Sequence, residues 1–238
     1  MNIGGIQKCS LIDYPGKISL VVFTRGCNFF CPYCHNPGLI DPAPSGEDPA
    51  KTLSGGPFGD GDLFGFLETR RKLLDGVVIT GGEPTLHNDL PQFIHRIREM
   101  GFLIKLDTNG SRPEVIEEIV SNGLADFIAM DVKTSPARYE SFSSINASVI
   151  FRSVSIVAGS GIPHEFRTTC VHPLVTEDDI HQIARNVSGA DSFVLQRPGT
   201  KNVLDPDFFR HTGRPASVDE LDRFLHILSP HVIRCHIR

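Results

Sequence analysis

The stretch "ISLVVFTRGCNFFCPYC" (residues 18–34) joins a short apolar segment to three closely spaced cysteines. Residues 18–24 are apolar and rich in β-branched side chains, which predicts a strand that is buried on both faces. Cys27, Cys31 and Cys34 follow this strand. In parallel α/β folds the active site is built from loops at the carboxyl ends of the strands. The cysteine loop therefore marks the predicted functional end of the fold.

Strand-like and helix-like segments alternate along most of the chain. This alternation predicts an α/β fold with a largely parallel sheet, built from six strand–helix units. The predicted strands are short and apolar, as strands covered on both faces should be. They occupy residues 18–24, 76–80, 103–107, 126–132, 165–169 and 192–196.

The predicted helices carry apolar residues three, four and seven positions apart, which is typical of a helix with one buried face. This pattern occurs in residues 90–97, 115–119, 180–187 and 221–228. Ser217 and Glu220 predict a capping box at the start of the last helix. Residues 147–158 are predicted to be helical mainly because the alternation requires a helix there. Residues 41–62 are dense in Gly, Pro, Ser and Asp and are predicted to form an irregular surface loop.

The composition is that of a globular protein: 238 residues, a formal net charge of −5, 40% hydrophobic and 21% charged. We expect a single domain, and the negative charge argues against a nucleic-acid partner. No apolar run approaches the roughly 20 residues of a membrane span, and the N-terminus lacks a signal-peptide pattern, so a cytoplasmic location is expected.

Six cysteines, three of them clustered, then favour metal binding over disulfides. Cys9, Cys170 and Cys235 are expected to be small buried residues.

Polar or glycine-rich features follow every predicted strand. Beyond the cysteines they are "GGEP" (81–84), "DTNG" (107–110), "MDVK" (130–133), Arg167, and Gln196 with Arg197. Because carboxyl ends of parallel strands share one end of the sheet, these features predict one large site. Structural alternatives remain open for each motif. The motifs "GGEP" and "DTNG" are also plausible turns, and Asp107 could be a simple cap. Asp131 and Lys133 could form a structural ion pair.

The three cysteines leave the identity of the metal open between two alternatives. Cys27, Cys31 and Cys34 with His35 match the ligand composition of some structural zinc sites, but adjacent ligands at 34 and 35 and the lack of a second Cys pair argue against zinc. A 4Fe-4S cluster held by three thiolates leaves one iron without a protein ligand, and a small molecule with amino and carboxylate groups can bind there.

The C-x3-C-x2-C spacing with an aromatic residue, Tyr33, before the last cysteine resembles the radical S-adenosylmethionine (radical SAM) superfamily. The segments "GGIQKCSLIDYPGK", "FTRGCNFFCPYCHNPGL", "LDGVVITGGEPTL", "KLDTNG" and "AMDVK" look like the activating proteins of anaerobic ribonucleoside-triphosphate reductase. That family is similar to the activase of pyruvate formate-lyase. The resemblance covers most of residues 4–200 and implies a partial (β/α)6 TIM-like barrel. We therefore expect one radical SAM domain over residues 1–238, with a core at about 16–200 and a C-terminal helix at about 216–229.

The resemblance also implies roles for matching residues. Cys27, Cys31 and Cys34 would bind the 4Fe-4S cluster. The segment around Tyr33 would pack along the adenine of S-adenosylmethionine. Backbone groups of Gly81, Gly82 and Glu83 would contact the amino end of the methionine moiety. Glycine is needed there because it lets the backbone approach the cofactor closely.

The remaining residues that the resemblance places at the cofactor follow the later strands; they are Thr108, Asn109, Asp131, Lys133, Arg167 and Gln196. Asp107, Thr108 and Asp131 resemble a monovalent-cation site of glycyl-radical activases. Asp13, in "DYPG" (13–16), aligns with the segment that meets the substrate loop. Two departures from the family pattern, Cys9 and the stretch after Gln196, leave the partner less defined than the chemistry.

The activity implied by this resemblance is reductive cleavage of S-adenosylmethionine. A flavodoxin or ferredoxin would donate the electron, and the resulting radical would take a hydrogen atom from a glycine of a class III ribonucleotide reductase. Two alternatives come from other functional classes. One is a radical SAM enzyme acting on a small molecule, such as a 7-carboxy-7-deazaguanine synthase, and the other is a non-catalytic metal-binding or electron-transfer module. The second would not need "GGEP" or "MDVK".

Overall fold

The structure, a computed structural model, describes residues 1–40 and 60–238. The chain divides into two compact units. The first comprises Met1–Asn28, Asn36–Thr108 and Glu118–Ile128, and the second comprises Phe29–His35, Asn109–Glu117 and Ala129–Arg238. The predicted loop of residues 41–62 lies outside the described residues as far as residue 59, and residues 60–62 belong to a helix instead.

Seven α-helices are present in the described residues. In chain order, α1 to α7 are Asp60–Arg70, Leu90–Glu99, Pro113–Ser121, Ala147–Ala158, Glu177–Asn186, Pro206–His211 and Val218–Leu228. All five helices predicted from the sequence are confirmed, including α4, which rested mainly on the alternation of elements. Ser217 and Glu220 form the predicted capping box at the start of α7.

Ten strands are present in the same described residues. In chain order, β1 to β10 are Ile3–Ser10, Ser19–Thr24, Gly76–Gly81, Leu103–Thr108, Phe127–Asp131, His164–Thr169, Val171–His172, Phe193–Gln196, Arg214–Pro215 and Cys235–Ile237. The six predicted strands correspond to β2, β3, β4, β5, β6 and β8, each within one residue at either end. The strands β1, β7, β9 and β10 were not predicted.

In the first unit, β2, β3 and β4 are parallel neighbours in that order, and β1 pairs antiparallel with β2. Val21 on β2 lies opposite Val78 on β3, and both pack in a buried cluster with Tyr14. The apolar face of α2 packs beside β4 and is buried as its periodicity predicts. The antiparallel β1 places the turn at residues 11–18 beside the amino end of β2.

In the second unit, β8 lies between β6 and β10 and is parallel to both. Helices α5 and α7 pack against each other, and each begins at a capping box, Thr176 with Asp179 and Ser217 with Glu220. The short strands β7 and β9 form a separate antiparallel pair. Parallel strands that alternate with helices confirm the predicted α/β class.

Among the described residues, no helix has both the length and the apolar character that crossing a membrane would require.

Candidate active site

The loop that carries Cys27 is fixed against the turn after β3, within the first unit. The amide of Glu83 donates to the carbonyl of Gly26 at 2.7 Å, and the amide of Gly82 donates to the carbonyl of Thr24 at 2.8 Å. These bonds join the carboxyl ends of β2 and β3. The start of "GGEP" is therefore held directly beside the start of the cysteine loop.

Glycine is required at residues 81 and 82 by this packing. A Cβ at Gly82 would lie 2.0 Å from the carbonyl oxygen of Gly26, and one at Gly81 would lie 2.4 Å from the amide nitrogen of Thr24. Gly81 also has a φ of +113°, which side chains with a Cβ rarely adopt. The sequence prediction attributed these glycines to close approach of the cofactor. The structure gives an additional reason, which is close approach of the protein's own backbone.

Glu83 is a fully buried carboxylate that organises this end of the first unit. Its Oε1 accepts hydrogen bonds from the Thr108 hydroxyl at 2.7 Å, from the Thr85 hydroxyl at 2.5 Å and from the Thr85 amide at 3.1 Å. Thr108 ends β4, so Glu83 links the ends of two neighbouring strands. The side chain points into the protein, which leaves the backbone of this turn to meet a ligand.

Asp107 is paired within its own strand. Its carboxylate forms an ion pair with the ammonium group of Lys105, which is also on β4. Lys105 is only 2% exposed, and the sequence prediction did not include it. Alternate residues of a strand point to one face, which is why residues 105 and 107 meet. Asp107 is therefore a member of an ion pair with a buried lysine.

In the second unit, Asp131 holds two cations. Its carboxylate accepts from Lys133 Nζ and from Arg167 Nε, each at 2.7 Å. Burial alone would raise the pKa of Asp131, but the charges of Arg167 and Lys133 outweigh it and lower that pKa below its usual range. The predicted ion pair of Asp131 and Lys133 is thus present, with Arg167 as a third member.

The charge of Lys133 also interacts with Cys31 in the cysteine loop. Burial would lower its pKa, but Asp131, followed by a Cys31 thiolate, raises it. The ammonium group therefore stays charged and places a positive charge near Cys31. Cys31 is buried, whereas Cys34 is partly exposed. Outside this loop, Cys170 is buried as predicted, but Cys9 is exposed and Cys235 is only partly buried, so the prediction is wrong for these two.

Tyr33 lies in an aromatic layer beneath the cysteine loop. Its ring packs edge to face on Phe142 at 6.1 Å, and the amide of Phe30 donates to the carbonyl of Phe142 at 3.0 Å. Burial, followed by the negative charges of Cys31 and Asp131, raises the pKa of the Tyr33 hydroxyl well above its usual value. Although Cys31 is close enough to affect this pKa, the hydroxyl does not meet the geometry of a hydrogen bond with any described residue.

Tyr139 is a site residue that the sequence prediction missed. It is 1% exposed, its ring contacts Phe29 and Phe142, and its hydroxyl accepts from the amide of Lys133 at 2.9 Å. This bond fixes the chain directly after Asp131. Nothing in "ARYESF" (137–142) distinguishes this tyrosine from an ordinary surface aromatic.

Asn109 and Gln196 have structural roles in the second unit. The Asn109 side chain accepts from the Ser111 amide at 2.9 Å, which is the turn alternative predicted for "DTNG". At residue 110 the φ is +77°, a backbone conformation that favours glycine. The carbonyl of Gln196 accepts from the Cys170 amide at 2.8 Å, and its side chain is partly buried.

Asp13 is placed away from Cys27 within the first unit. It lies in the turn before the amino end of β2, whereas Cys27 follows the carboxyl end of that strand. Six strand residues separate the two, which corresponds to about 20 Å of extended chain. The structure therefore does not bring Asp13 to the end of the first unit where Cys27, Gly82 and Glu83 lie.

Comparison with known proteins identifies the superfamily. The sequence profile described as "Radical SAM superfamily" matches residues 21–187. The chain belongs to the radical SAM superfamily. A relative from Methanocaldococcus jannaschii, named as a candidate glycyl-radical enzyme activating enzyme, is 36% identical over 213 residues, or 87% of this chain and 83% of that protein. The pyruvate formate-lyase-activating enzyme of Clostridium pasteurianum is 33% identical over 136 residues, or 56% of this chain and 52% of that protein.

A solved structure confirms the fold of this radical SAM enzyme. The crystal structure of a domain of the pyruvate-formate lyase-activating enzyme from Bacteroides vulgatus superposes with a TM-score of 0.56 at 20% identity, covering 68% of this chain and 98% of that domain. The match confirms the predicted α/β fold of the radical SAM partial-barrel type. Membership of the superfamily also implies a 4Fe-4S cluster and S-adenosylmethionine as cofactors.

The residues of the cysteine loop fit such a cluster. Three thiols within eight residues supply the donor type that iron–sulfur clusters take, and Lys133 provides positive charge beside one of them. Among residues 1–40 and 60–238, no group of three or more His, Cys, Asp or Glu side chains is arranged to hold a single metal ion. The proposed monovalent-cation site at Asp107, Thr108 and Asp131 contains only two carboxylates, so this result does not test it and the site stays a prediction.

Proposed function

We propose that this radical SAM enzyme generates a glycyl radical on a partner enzyme, and that the partner is an anaerobic, class III ribonucleoside-triphosphate reductase. The observation that carries the first part is the 36% identity to the Methanocaldococcus jannaschii relative over 213 residues, a match longer than the superfamily region 21–187. The choice of partner is supported by "SLIDYPGK" (10–17) and "CPYCHNP" (31–37), which resemble activating proteins of that reductase.

We assign cofactor binding to residues of the cysteine motif and of "GGEP", and to residues that follow the later strands. Cys27, Cys31 and Cys34 hold the cluster. When bound, the cluster and S-adenosylmethionine supply a carbon-centred radical that removes a hydrogen atom from a glycine α-carbon of the partner. The backbone of Gly81 and Gly82 contacts the methionine end, because the Glu83 side chain is turned inward to Thr85 and Thr108.

Asp131, Lys133 and Arg167 act as one charged group in this proposal. Arg167 and Lys133 fix the Asp131 carboxylate from two sides, each at 2.7 Å, so its orientation is set before a cofactor arrives. Such preorganised charge loses little free energy on binding. Tyr33, Thr108, Asn109 and Gln196 complete the proposed cofactor contacts.

The aromatic layer under the cysteine loop has a protective role. Phe29, Tyr33, Tyr139 and Phe142 are all at most 4% exposed. They exclude water from the inner side of Cys31, and a dry surrounding limits quenching of a reactive radical. Tyr139 in addition holds the Lys133 backbone in place.

The turn between β1 and β2 is proposed to contact the partner polypeptide. Leu11 and Ile12 are 73% and 83% exposed, although both are large apolar side chains. The Ser10 hydroxyl donates to Asp13 and accepts from the amides of Ile12 and Asp13, each at 3.2 Å, which holds the turn in one conformation. Because Asp13 lies at the amino end of β2, it enters the proposal as a docking residue and not as a radical-site residue.

Two further elements complete the proposal. The electron donor is a flavodoxin or ferredoxin in a reducing cytoplasm. A monovalent cation at Asp107, Thr108 and Asp131 would have to compete with Lys105 for Asp107, and with Lys133 and Arg167 for Asp131. The dependence of the rate on K⁺ or Na⁺ concentration tests the cation.

Anaerobic reconstitution tests the proposed function. The enzyme is loaded with iron and sulfide, reduced with dithionite, and given S-adenosylmethionine with the reductase, with a formate-lyase-type partner, or alone. We expect one 5′-deoxyadenosine per radical formed on the reductase. If a radical formed only on the formate-lyase-type partner, that enzyme would take the place of the reductase as the proposed partner. Cofactor cleavage driven by a deazapurine precursor, with neither partner activated, would favour the small-molecule alternative, and no cleavage at all would favour the metal-binding module.

A further inference from the structure

An open groove in the second unit is basic, although the whole chain carries a net charge of −5. The groove has a volume of about 580 Å³, and its described lining contains three cationic residues, the ring of Phe209 and no acidic residue. The cationic residues are Lys201, Arg210 and Arg214. These four side chains define the basic groove.

The three cations of the basic groove differ in their partners. Arg210 pairs with Asp207 at 2.7 Å, and Arg214 pairs with Glu220 at 2.6 Å, so both guanidinium groups are held in place. Lys201 is exposed and makes no ion pair with any residue in the described part of the chain. Its charge is therefore the one most available to a binding partner.

The chain segment that lines this groove is hydrogen-bonded to the cysteine loop. The amide of Leu204 donates to the carbonyl of Cys34, and the amide of Asp205 donates to the carbonyl of Pro32, both at 3.0 Å. These two residues stand between Lys201 and α6, which carries Phe209 and Arg210. A molecule in the basic groove thus contacts a segment that is one hydrogen bond away from the backbone of Cys34.

The cysteine loop itself presents an exposed aromatic side chain. Phe30 is 59% exposed, whereas Phe29 beside it is 2% exposed. Phe30 stands two residues before Pro32, which is bonded to the groove segment. Exposed aromatic side chains are enriched at protein–protein interfaces, where they act as anchors. The cysteine loop therefore offers an exposed aromatic anchor two residues from Pro32, whose carbonyl is bonded to the groove segment.

We propose that the basic groove and Phe30 form the docking surface for the electron-donor protein, an acidic one-electron carrier. The radical reaction requires one electron from outside, and the carrier loses that electron while the cluster gains it, with no proton or bond exchanged. Arg210 and Arg214 are paired with acids, so the attraction of an acidic carrier to this groove comes mainly from Lys201, and the fixed guanidinium groups beside it help to orient the carrier. This inference rests on the electron donor named in the proposed function, and it survives if the reductase is not the partner.

A charge reversal at Lys201 with a matched control tests the docking surface. Lys201→Glu is compared with Lys72→Glu, which makes the same change at another exposed lysine, outside the groove. The affinity for an acidic flavodoxin is measured by calorimetry at low and high salt. We expect Lys201→Glu to weaken binding about tenfold at low salt, with the difference shrinking at high salt, and Lys72→Glu to stay within about twofold of wild type.

Two further readouts separate docking from other effects. Carbodiimide coupling, mapped by mass spectrometry, should join the Lys201 amine to a flavodoxin carboxylate. Cofactor cleavage driven by dithionite should be unchanged in Lys201→Glu, because a small reductant needs no docking surface. Equal flavodoxin affinity in the two variants would overturn the inference. So would a Lys201→Glu variant that loses binding of the glycyl-radical partner but keeps flavodoxin binding.

Discussion

Gly82 and Gly26 are in direct contact: a Cβ at residue 82 would lie 2.0 Å from the carbonyl oxygen of Gly26. That same carbonyl accepts the amide of Glu83 at 2.7 Å. This contact holds the start of the loop that carries Cys27 against the end of β3. The "GGEP" motif therefore shapes the cysteine loop as well as the proposed surface for the methionine end of the cofactor.

Gly82→Ala should displace this loop. The added methyl group cannot be accommodated without a backbone shift, so we expect a loss of about 1–3 kcal/mol in the free energy of unfolding and reduced iron retention after reconstitution. Urea unfolding and iron analysis measure the two effects. Gly65→Ala in α1 is the control, because a Cβ added there would meet no atom within 4 Å and alanine favours a helix. Wild-type stability and iron content in Gly82→Ala would contradict this packing role.

Alanine at Cys27, Cys31 or Cys34 should abolish the brown absorbance of the cluster and cofactor cleavage. The other three cysteines should tolerate the change. Burial raises the pKa of the Cys170 thiol to about 12 and that of Cys235 to about 11, so both stay protonated and are poor ligands at neutral pH. Absorbance spectra and iron content are the measurements, and full activity in Cys31→Ala would refute the cluster assignment. Stoichiometric zinc without iron after anaerobic reconstitution would instead favour the zinc alternative.

Asp131→Ala and Lys133→Ala should keep the cluster but weaken S-adenosylmethionine binding. Loss of a charge-assisted contact is worth about 1.5–3 kcal/mol, which is roughly a tenfold to hundredfold change in Kd. Equilibrium binding to the reconstituted enzyme measures the effect. Glu117→Ala is the matched control, since it breaks an exposed 2.8 Å ion pair with Arg152 on the surface. Unchanged affinity in both site variants would make Asp131 and Lys133 a purely structural pair.

Glu220→Gln should reveal a pH-dependent contribution to stability. The hydrogen bond from Arg214 is the main cause that lowers the pKa of Glu220 from 4.5 to about 2. A lowered carboxyl pKa stabilises the fold above about pH 4.5, and this stabilisation is lost as the pH falls towards 2. We expect the variant to be about 1–2 kcal/mol less stable than wild type at pH 7, after allowance for solvent screening of Arg214.

Urea unfolding at a series of pH values checks this expectation for Glu220. The difference between wild type and Glu220→Gln should shrink as the pH is lowered below 4.5. Glu68→Gln, which removes the exposed partner of Arg71 at 2.8 Å, should change stability little at any pH. A Glu220 effect that is constant with pH would show that the capping box does not depend on the carboxylate charge.

Regular elements with a strong local pattern were predictable from the sequence. The strands β2 to β6 and β8 are short apolar runs, and α2, α5 and α7 have one apolar face. By contrast, β1 contains two adjacent glycines and alternates weakly, and β10 has only three residues. Their strand conformation depends on pairing with β2 and β8, which a local pattern does not reveal.

The candidate site was predictable in its residues more than in its contacts. Motif positions identified Asp131, Lys133 and Arg167, and the structure brings these three together. Tyr139 was missed because its role depends on a hydrogen bond to a backbone amide outside its own motif. The position of Asp13 was not predictable either, because the antiparallel pairing of β1 sets its turn at the amino end of β2; its contact with a substrate stays a prediction. Tertiary pairing, and not residue type, decides such placements.

The most direct measurement of the central claim is electron paramagnetic resonance of the reduced, reconstituted enzyme mixed anaerobically with a class III ribonucleotide reductase and S-adenosylmethionine. The account predicts a glycine-centred doublet on the reductase, which collapses to a single line when the reductase glycine is deuterated at its α-carbon. Cys31→Ala enzyme should give no signal. Cofactor cleavage without a doublet on this reductase or on a formate-lyase-type partner would contradict the activating role while leaving the radical SAM chemistry in place.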